Sequence, residues 1–146
     1  MLVSPNDHLF TKALLVSTDE GILQFPHNLV DLPETADSKP ALLVSAGKTV
    51  AMDFNYNEKA IYYTKDMDDG TQSIQKYDLT TNSSLTIYTG GQGIEGLAVD
   101  WVTSNIYWTE KDNVAISVAR LDGSFRKVLL SGLDQPCGVA VHPEQK

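Results

Sequence analysis

The chain has 146 residues, of which 42% are hydrophobic and 21% charged, with a formal net charge of −8 and a pI near 4.6. Its length and apolar content suit one domain with a core, and its acidic balance excludes the phosphate-binding surface that nucleic-acid recognition requires. No apolar stretch reaches membrane-spanning length, and the first residues lack a basic region followed by an apolar one. We therefore expect neither a signal peptide nor a transmembrane segment within the chain.

The first predicted elements form an incomplete group of strands. Residues 1–12 are interpreted as an N-terminal extension. Two apolar runs, Ala13–Ser17 and Gly21–Phe25, predict a pair of strands, and a long polar link separates them from a third strand at Ala41–Ser45. Together these three strands form a partial unit over residues 13–45.

Two complete units follow, over residues 49–89 and 94–130. Turns rich in Gly, Asp, Asn and Ser divide each unit into four short strands, and no window shows a sustained 3.6-residue apolar period. A further unit is predicted to open with a strand at Gly138–His142 and to occupy residues 138–146. The chain is therefore predicted to be all-β. The predicted strands of the two complete units are Val50–Phe54, Ala60–Lys65, Ser73–Leu79 and Leu85–Thr89, and then Ile94–Asp100, Ile106–Glu110, Ile116–Leu121 and Arg126–Leu130.

One short motif occurs twice. Ile61–Lys65 (Ile-Tyr-Tyr-Thr-Lys) recurs as Ile106–Glu110 (Ile-Tyr-Trp-Thr-Glu), which places the two threonines 109 − 64 = 45 residues apart. A period in the low-to-middle forties, filled with short strands, is typical of the blades of a β-propeller. Adjacent strand residues face opposite sides of a sheet, so one aromatic ring of each copy is predicted to pack between blades.

Aspartates also recur near these strands. Asp53 and Asp100, which are 47 residues apart, are interpreted as equivalent, and so are Asp78 and Asp122. Each blade must solve the same structural problem, so we predict that these carboxylates accept hydrogen bonds from strand-end backbone groups and connect neighbouring blades.

The second complete unit resembles the YWTD repeat, or class B repeat, of low-density lipoprotein receptor relatives. The residues that carry the resemblance are Gly96–Trp101, Tyr107–Glu110, Val118–Ser124, Arg126–Leu129 and the link Leu133–Pro136. The resemblance implies four-stranded antiparallel blades of a six-bladed propeller. Since two complete units and two incomplete ones span residues 13–146, the chain is predicted to be a fragment of about three blades.

The resemblance also implies a function. Such propellers lie in the extracellular part of endocytic or signalling receptors, beside EGF-like modules and class A ligand-binding modules. There they bind extracellular proteins or help to release cargo, and they are not enzymes. Two alternatives stay open: a propeller of a matrix protein or growth-factor precursor, and a calcium-dependent six-bladed hydrolase of the lactonase or esterase type.

Differences between the two motif copies suggest where a ligand binds. Lys65 and Glu110 occupy the position at which the family usually has Asp, and Tyr63 replaces the usual Trp. We predict that Lys65, Asp66, Trp108 and Glu110 lie near a ligand-binding face. No catalytic residue, cofactor site or metal site is predicted.

Three other motifs have simple structural interpretations. Gly91–Gly96 has the spacing G-x-G-x-x-G, but a strand follows it where dinucleotide binding needs a helix, so we interpret it as a turn between blades. Asp66–Gly70 lacks the ligand spacing of a calcium loop and is interpreted as a solvated hairpin turn. Cys137, the one cysteine, is expected to be a small buried residue, the alternative being an unpaired thiol that bonds to another module.

Asn82-Ser83-Ser84 is an N-glycosylation sequon on a predicted turn. It agrees with an extracellular location of the parent protein. The ligand and the oligomeric state are left open by the sequence.

Overall fold

The computed structural model describes residues 14–25 and 40–143. They form eleven strands in three antiparallel sheets, and no helix occurs among these residues. The predicted all-β fold is therefore confirmed for this part of the chain. Residues 1–13, 26–39 and 144–146, which include the predicted N-terminal extension and the polar link, lie outside the described residues.

The first of two compact units, residues 1–48, contains a three-stranded sheet in the order β1-β2-β3. Gly21, the first residue of β2, has φ = 135°, and a Cβ there would lie 2.0 Å from the carbonyl oxygen of Val44. Glycine is therefore needed where β2 approaches β3. The strands are β1 (Leu14–Ser17), β2 (Gly21–Phe25) and β3 (Ala41–Ser45).

The second unit, residues 49–146, contains two four-stranded sheets in the orders β4-β5-β6-β7 and β8-β9-β10-β11. Each sheet is a meander in which every strand pairs with its successor, as the repeat predicts. The strands are β4 (Met52–Asn55), β5 (Ala60–Asp66), β6 (Gln72–Asp78) and β7 (Ser83–Gly91), and then β8 (Ile94–Asp100), β9 (Asn105–Glu110), β10 (Ala115–Arg120) and β11 (Lys127–Ser131).

The two sheets of the second unit share one apolar core. The edge strands β4 and β8 lie against each other, and side chains from facing sides of the sheets interlock between them. Tyr62 corresponds to Tyr107, so Tyr62 and Trp108 hold adjacent positions of the repeat and point to opposite faces of their own sheets. These two faces meet in the shared core, which both side chains enter. The other buried apolar members are Ala51, Ala60, Ile74, Ile87, Ile94, Leu97, Val99, Ile106, Ala119 and Leu121.

The strand register corrects the predicted equivalence of the aspartates. Asp53 pairs with Tyr62, whereas Ala98 pairs with Tyr107, 45 residues later, so Asp53 corresponds to Ala98. Asp100 corresponds instead to Asn55 (100 − 55 = 45). The two aspartates are 47 residues apart, whereas the two threonines are 45 residues apart. The strand pairing shows that equivalent residues of β4 and β8 are 45 residues apart, so the two aspartates are not equivalent.

The second aspartate pair is also two residues out of register. The equivalent residues are Leu79 and Leu121, whose N–H groups donate to the carbonyls of Lys59 and Ser104. Asp78 precedes its leucine, whereas an aspartate follows Leu121. The equivalence of Asp78 and Asp122 was therefore wrong. Seven residues separate the paired Lys65 and Ser73, whereas four separate the equivalent pair Glu110 and Ala115, and this shortens the period from 45 to 42 residues.

The predicted role of the four aspartates is confirmed in full for Asp53 and, for the other three, only as bonds to nearby backbone groups. Asp53 connects the sheets, since its Oδ2 accepts a 2.7 Å hydrogen bond from the N–H of Val99 on the edge strand β8. Asp78, Asp100 and Asp122 act locally and accept hydrogen bonds from N–H groups of the turns that follow them. Of these four aspartates, Asp53 alone accepts a hydrogen bond from a backbone N–H of the neighbouring sheet.

The predicted strand at Gly138–His142 is not formed. Residues 138–143 have no strand pairing, although the preceding link crosses β8 closely. A Cβ on Gly96 would lie 2.2 Å from the carbonyl oxygen of Cys137, and the Thr109 hydroxyl donates to that same oxygen. A strand requires a ladder of backbone hydrogen bonds to a neighbouring strand, and residues 138–143 form no such ladder with the described strands.

Candidate functional site

The connections of the second unit lie at two opposite ends of its sheets. We call one the acidic end, formed by residues 66–71, 91–93 and 111–114. We call the other the turn end, formed by residues 56–59, 79–82, 101–104 and 121–126. The alternating direction of the strands assigns each connection to its end.

A pocket of about 360 Å³ opens at the acidic end, between the connections of the two sheets. Its carboxylates come from Asp66 and Asp69 of the first sheet and Asp112 of the second, all three on exposed residues. Lys65, which precedes Asp66 in β5, is exposed but is not among the residues that line this pocket. The other lining residues are Met67, Gly70, Thr71, Gln72, Gln92 and Gly93.

The β5–β6 hairpin holds the first two carboxylates in place. Asp66 Oδ1 accepts a 3.0 Å hydrogen bond from Gln72 Nε2, and Asp69 Oδ1 accepts bonds from the hydroxyl and the N–H of Thr71. These two bonds to Thr71, the hydroxyl first, lower the pKa of Asp69, so its carboxylate is ionised at neutral pH. Gly70, with φ = 81°, provides the left-handed residue that this turn needs.

Gln72 also fixes the two sheets relative to each other at the floor of the pocket. Its Oε1 accepts a 2.6 Å hydrogen bond from the N–H of Ile94, the first residue of β8. On the other side, the N–H of Lys111 donates to the carbonyl of Gly93, and a Cβ on Gly93 would lie 3.1 Å from Asp112 Oδ2. The pocket loops are therefore fixed by one hydrogen bond between the sheets, from Ile94 to Gln72, and by one at the edge of the second sheet, from Lys111 to Gly93.

These contacts also show the function of the glycine-rich segment. Gly91 is the last residue of β7 and Gly93 has φ = 62°, so the segment turns the chain from one sheet into the next. The interpretation of Gly91–Gly96 as a turn between blades is confirmed, because a strand begins at Ile94. Asp66–Gly70 likewise forms a hairpin connection, as predicted.

Two of the four predicted ligand-face residues are not on the surface. Trp108 is 0% exposed and Glu110 is 1% exposed, and both point into the space between the sheets, where they meet Tyr88 of β7. The expectation that these two side chains lie near an exposed face is corrected. Position within a motif does not show which face a strand residue occupies, and the register decides it.

Glu110 instead accepts hydrogen bonds inside the interface between the sheets. Its Oε2 accepts from the Ser117 hydroxyl at 3.1 Å and from Arg126 Nη2 at 3.4 Å. Its Oε1 accepts from Asn113 Nδ2 at 3.2 Å and from the Tyr88 hydroxyl at 3.4 Å. The buried carboxylate is thus surrounded by donors from both sheets, as a buried charge requires.

Arg126 completes this cluster from the solvent side. Its guanidinium carbon lies 4.6 Å from the centre of the Tyr88 ring and 5.8 Å from the centre of the Trp108 ring, while its side chain remains 40% exposed. Burial, and then the negative charge of Glu110, raise the pKa of Tyr88, so its hydroxyl stays protonated and donates. We call Tyr88, Trp108, Glu110, Ser117 and Arg126 the interface cluster.

The structure reveals residues that the sequence interpretation missed. Asp112 and Gln92 contribute to the acidic pocket, and neither was a predicted site residue. The strand pattern could have indicated Asp112. β5 and β9 are the second strands of equivalent sheets, so the turns that follow them lie at the same end of the unit. Cys137 is exposed rather than buried, and a hydrogen bond to Glu95 raises the pKa of its thiol.

The predicted glycosylation site lies at the turn end, away from the acidic pocket. Asn82 is exposed in the β6–β7 turn. In the described part of the chain, no group of three or more His, Cys, Asp or Glu side chains is placed to hold a metal ion. The same residues include no helix with the length and apolarity needed to cross a bilayer.

Comparison with known proteins agrees with the predicted repeat. Residues 104–143 match the family model described as low-density lipoprotein receptor repeat class B. Over 94 residues the chain is 36% identical to low-density lipoprotein receptor-related protein 5 of Mus musculus. The aligned region covers 64% of this chain and 6% of that protein. Over 88 residues it is 35% identical to the vitellogenin receptor of Solenopsis invicta, covering 58% of this chain and 5% of that receptor.

A solved structure extends the similarity to most of the chain. The match is to a chain in the crystal structure of a nidogen/laminin complex, with a TM-score of 0.74 and 28% sequence identity. It covers 90% of this chain and 49% of that one, and the matched chain is a YWTD β-propeller. The predicted resemblance to the YWTD or class B repeat is confirmed, and so are the propeller-type blades.

Proposed function

We propose that this chain, which contains a low-density lipoprotein receptor class B repeat, is a non-enzymatic module that binds an extracellular protein through its acidic end. The observation that supports the proposal most directly is the pocket lined by Asp66, Asp69 and Asp112, which come from connections of two adjacent sheets. A concave acidic surface complements Lys and Arg side chains of a ligand and accelerates their encounter.

The acidic end is suited to binding because its shape is already formed. The Gln72 bond to Ile94 and the Gly93 bond to Lys111 hold the pocket loops on strands of both sheets. Binding then costs little loop ordering, and Met67, an exposed apolar side chain in the same lining, adds contact area. Lys65 and Asp66 remain the predicted ligand-face residues at this end, and Asp112 joins them.

The relatives support a proposed setting for the module. Both named relatives are receptors, and the chain spans only 6% and 5% of their lengths. We place the chain on the extracellular side of a membrane receptor, endocytic or signalling, whose EGF-like and class A modules are its covalent neighbours. Ligand capture and cargo release would then be activities of the whole receptor.

Binding is tested with two probes, laminin and a lysine-rich synthetic peptide. We expect Asp66→Asn together with Asp112→Asn to weaken peptide binding at least tenfold at 0.05 M salt, and added salt to weaken the binding of the unaltered chain. Asp122→Asn, an exposed change at the turn end, is the matched control. Equal binding by both variants, measured by surface plasmon resonance, would remove the acidic end from the proposal.

A glycan placed at the acidic end gives a second test. Asp69→Asn creates an Asn-Gly-Thr sequon in the β5–β6 hairpin, and a glycan there would cover the pocket. Peptide-N-glycosidase F removes such a glycan and leaves aspartate, which restores the original residue. Binding should be lost in the glycosylated protein and recovered after enzyme treatment, and persistent binding to the glycosylated form would contradict the proposal.

One specific observation favours a second candidate, a propeller of a matrix protein. The matched solved chain comes from a nidogen/laminin complex. The two candidates differ in where the parent protein resides, so surface biotinylation of cells that express it discriminates between them. A receptor is labelled and stays with the cell, whereas a matrix protein is recovered from the medium or the matrix.

A further inference from the structure

We infer that Asn82 carries an N-linked oligosaccharide on the turn end of the second unit. The inference depends on the proposed function in one respect, since the chain must enter the secretory pathway. Its structural basis is independent of the acidic pocket. Asn82 heads the sequon Asn-Ser-Ser in the β6–β7 turn, and the neighbouring residues from Thr80 to Thr86 are all exposed.

The turn presents the reactive nitrogen to solvent. Asp78 Oδ1 accepts hydrogen bonds from the N–H groups of Thr80 and Thr81, at 2.7 and 3.1 Å, and so holds the turn in one conformation. Asn82 follows with φ = 52°, and its Oδ1 accepts a 3.3 Å bond from the Tyr77 hydroxyl. No hydrogen bond of the described residues engages its Nδ2, the atom that receives the sugar.

The covalent step is ordinary N-glycosylation by the transferase of the secretory pathway. The donor is an oligosaccharide on a lipid diphosphate. A bond forms between Asn82 Nδ2 and C1 of the first N-acetylglucosamine, and the C1–O bond to the diphosphate breaks. The lipid diphosphate leaves with the bonding electron pair, and the proton lost by the amide nitrogen passes to solvent. Ser84 supplies the hydroxyl that the sequon requires.

The folded structure accommodates this glycan without rearrangement. β7 is an edge strand of its sheet, so the turn that begins it has no strand on its outer side. The Tyr77 hydroxyl donates to Asn82 Oδ1 and leaves Nδ2 of the same amide available for the sugar. A glycan here covers the start of a long exposed edge, which also bears Leu85, and reduces edge-to-edge association. It leaves the acidic end free.

The test directs the full chain into the secretory pathway of cultured cells with an added leader. Occupancy of Asn82 is measured by glycopeptide mass spectrometry in both the secreted and the cell-associated protein. We expect a glycan on most secreted molecules, its loss in Ser84→Ala, and its retention in Ser83→Ala, the neighbouring and equally exposed serine. An unmodified Asn82 in both pools overturns the inference.

A displaced sequon tests whether the folded turn matters. Asn57→Thr, combined with Ser84→Ala, moves the sequon to Asn55, which is buried and accepts a hydrogen bond from the N–H of Glu58. Glycosylation there should retain the protein in the cell, whereas the original sequon should permit secretion. Equal secretion of both glycosylated forms would contradict the structural argument. Because these readouts do not involve ligand binding, they remain valid if the acidic end binds nothing.

Discussion

Glu110→Ala is expected to destabilise the second unit strongly, and not because a ligand contact is lost. The carboxylate is 1% exposed and accepts hydrogen bonds from Tyr88, Asn113, Ser117 and Arg126. Removing it leaves these donors facing a gap between the two sheets. The variant therefore distinguishes a structural carboxylate from the ligand-face residue that the sequence predicted.

The magnitude follows from how each donor can recover. Ser117 is fully buried, so its hydroxyl loses its partner without gaining water, at a cost of about 1–3 kcal/mol. Arg126 is 40% exposed and is rehydrated, so its ion pair contributes less than a buried pair would. With the cavity left by the shortened side chain, we expect a total loss of about 3 kcal/mol.

The assay is urea denaturation of the full chain, followed by tryptophan fluorescence, because Trp108 lies in the interface cluster. A loss of about 3 kcal/mol corresponds to a fall in Tm of roughly 6–12 °C for a domain of this size. Glu95→Ala is the matched control, since Glu95 is partly exposed and solvent screens its ion pair with Lys111. The reasoning is refuted if the two variants are equally stable.

Three further changes probe the contacts between and within the sheets. Asp53→Ala removes the bond to β8 and should lower the free energy of unfolding by about 2 kcal/mol, read from urea midpoints. Gly123→Ala places a Cβ 2.3 Å from the carbonyl oxygen of Ile87 at φ = 86° and should cost about 2–4 kcal/mol by the same measurement. The backbone N–H of Thr81 is the main cause of a lowered pKa at Asp78. The stability that this carboxylate contributes is therefore present above the unfolded-state pKa of 3.8 and is lost as the pH falls through the lower folded-state value. In Asp78→Asn, the urea midpoint should fall less between pH 7 and pH 3 than it does in the unaltered chain.

Each of these predictions has a matched control in the same unit. Asp68→Ala removes an exposed aspartate of the β5–β6 hairpin and should change stability by less than about 0.5 kcal/mol. Gly70→Ala imposes a similar left-handed strain, φ = 81°, but its Cβ meets nothing within 4 Å. If Gly70→Ala costs as much as Gly123→Ala, the contact with Ile87 is not the cause. If the urea midpoint of the unaltered chain already decreases as the pH is lowered from 7 to 5, groups other than Asp78 cause the acid sensitivity.

Much of the fold could be predicted from local pattern. The strands β2, β3 and β8 have the predicted bounds, and the other predicted strands of the first three units differ by one or two residues at their ends. Short apolar runs between Gly and Asx turns indicate strands because turn chemistry is local. Gly138–His142 shares that pattern but forms no strand, since strand formation depends on a neighbour and not on the segment itself.

The candidate site was less predictable. Lys65 and Asp66 lie at the exposed acidic end, whereas Trp108 and Glu110 of the second motif copy are buried against Tyr88. The sequence shows that two side chains are neighbours on a strand, but not which sheet covers each face. Asp112 was missed for the same reason, because its importance arises from the loop of another sheet.

The sequence by itself determined the repeat, the all-β class, the resemblance to class B repeats and the turns that separate the strands. These properties depend on residue spacing and on the conformations that Gly, Asn and Asp allow. Only the tertiary structure decided that Asp53 joins the sheets, that Glu110 is a structural carboxylate, and that the acidic pocket and Asn82 lie at opposite ends. Those properties depend on register and on packing between sheets, where a shift of one residue exchanges the buried and exposed faces of a strand.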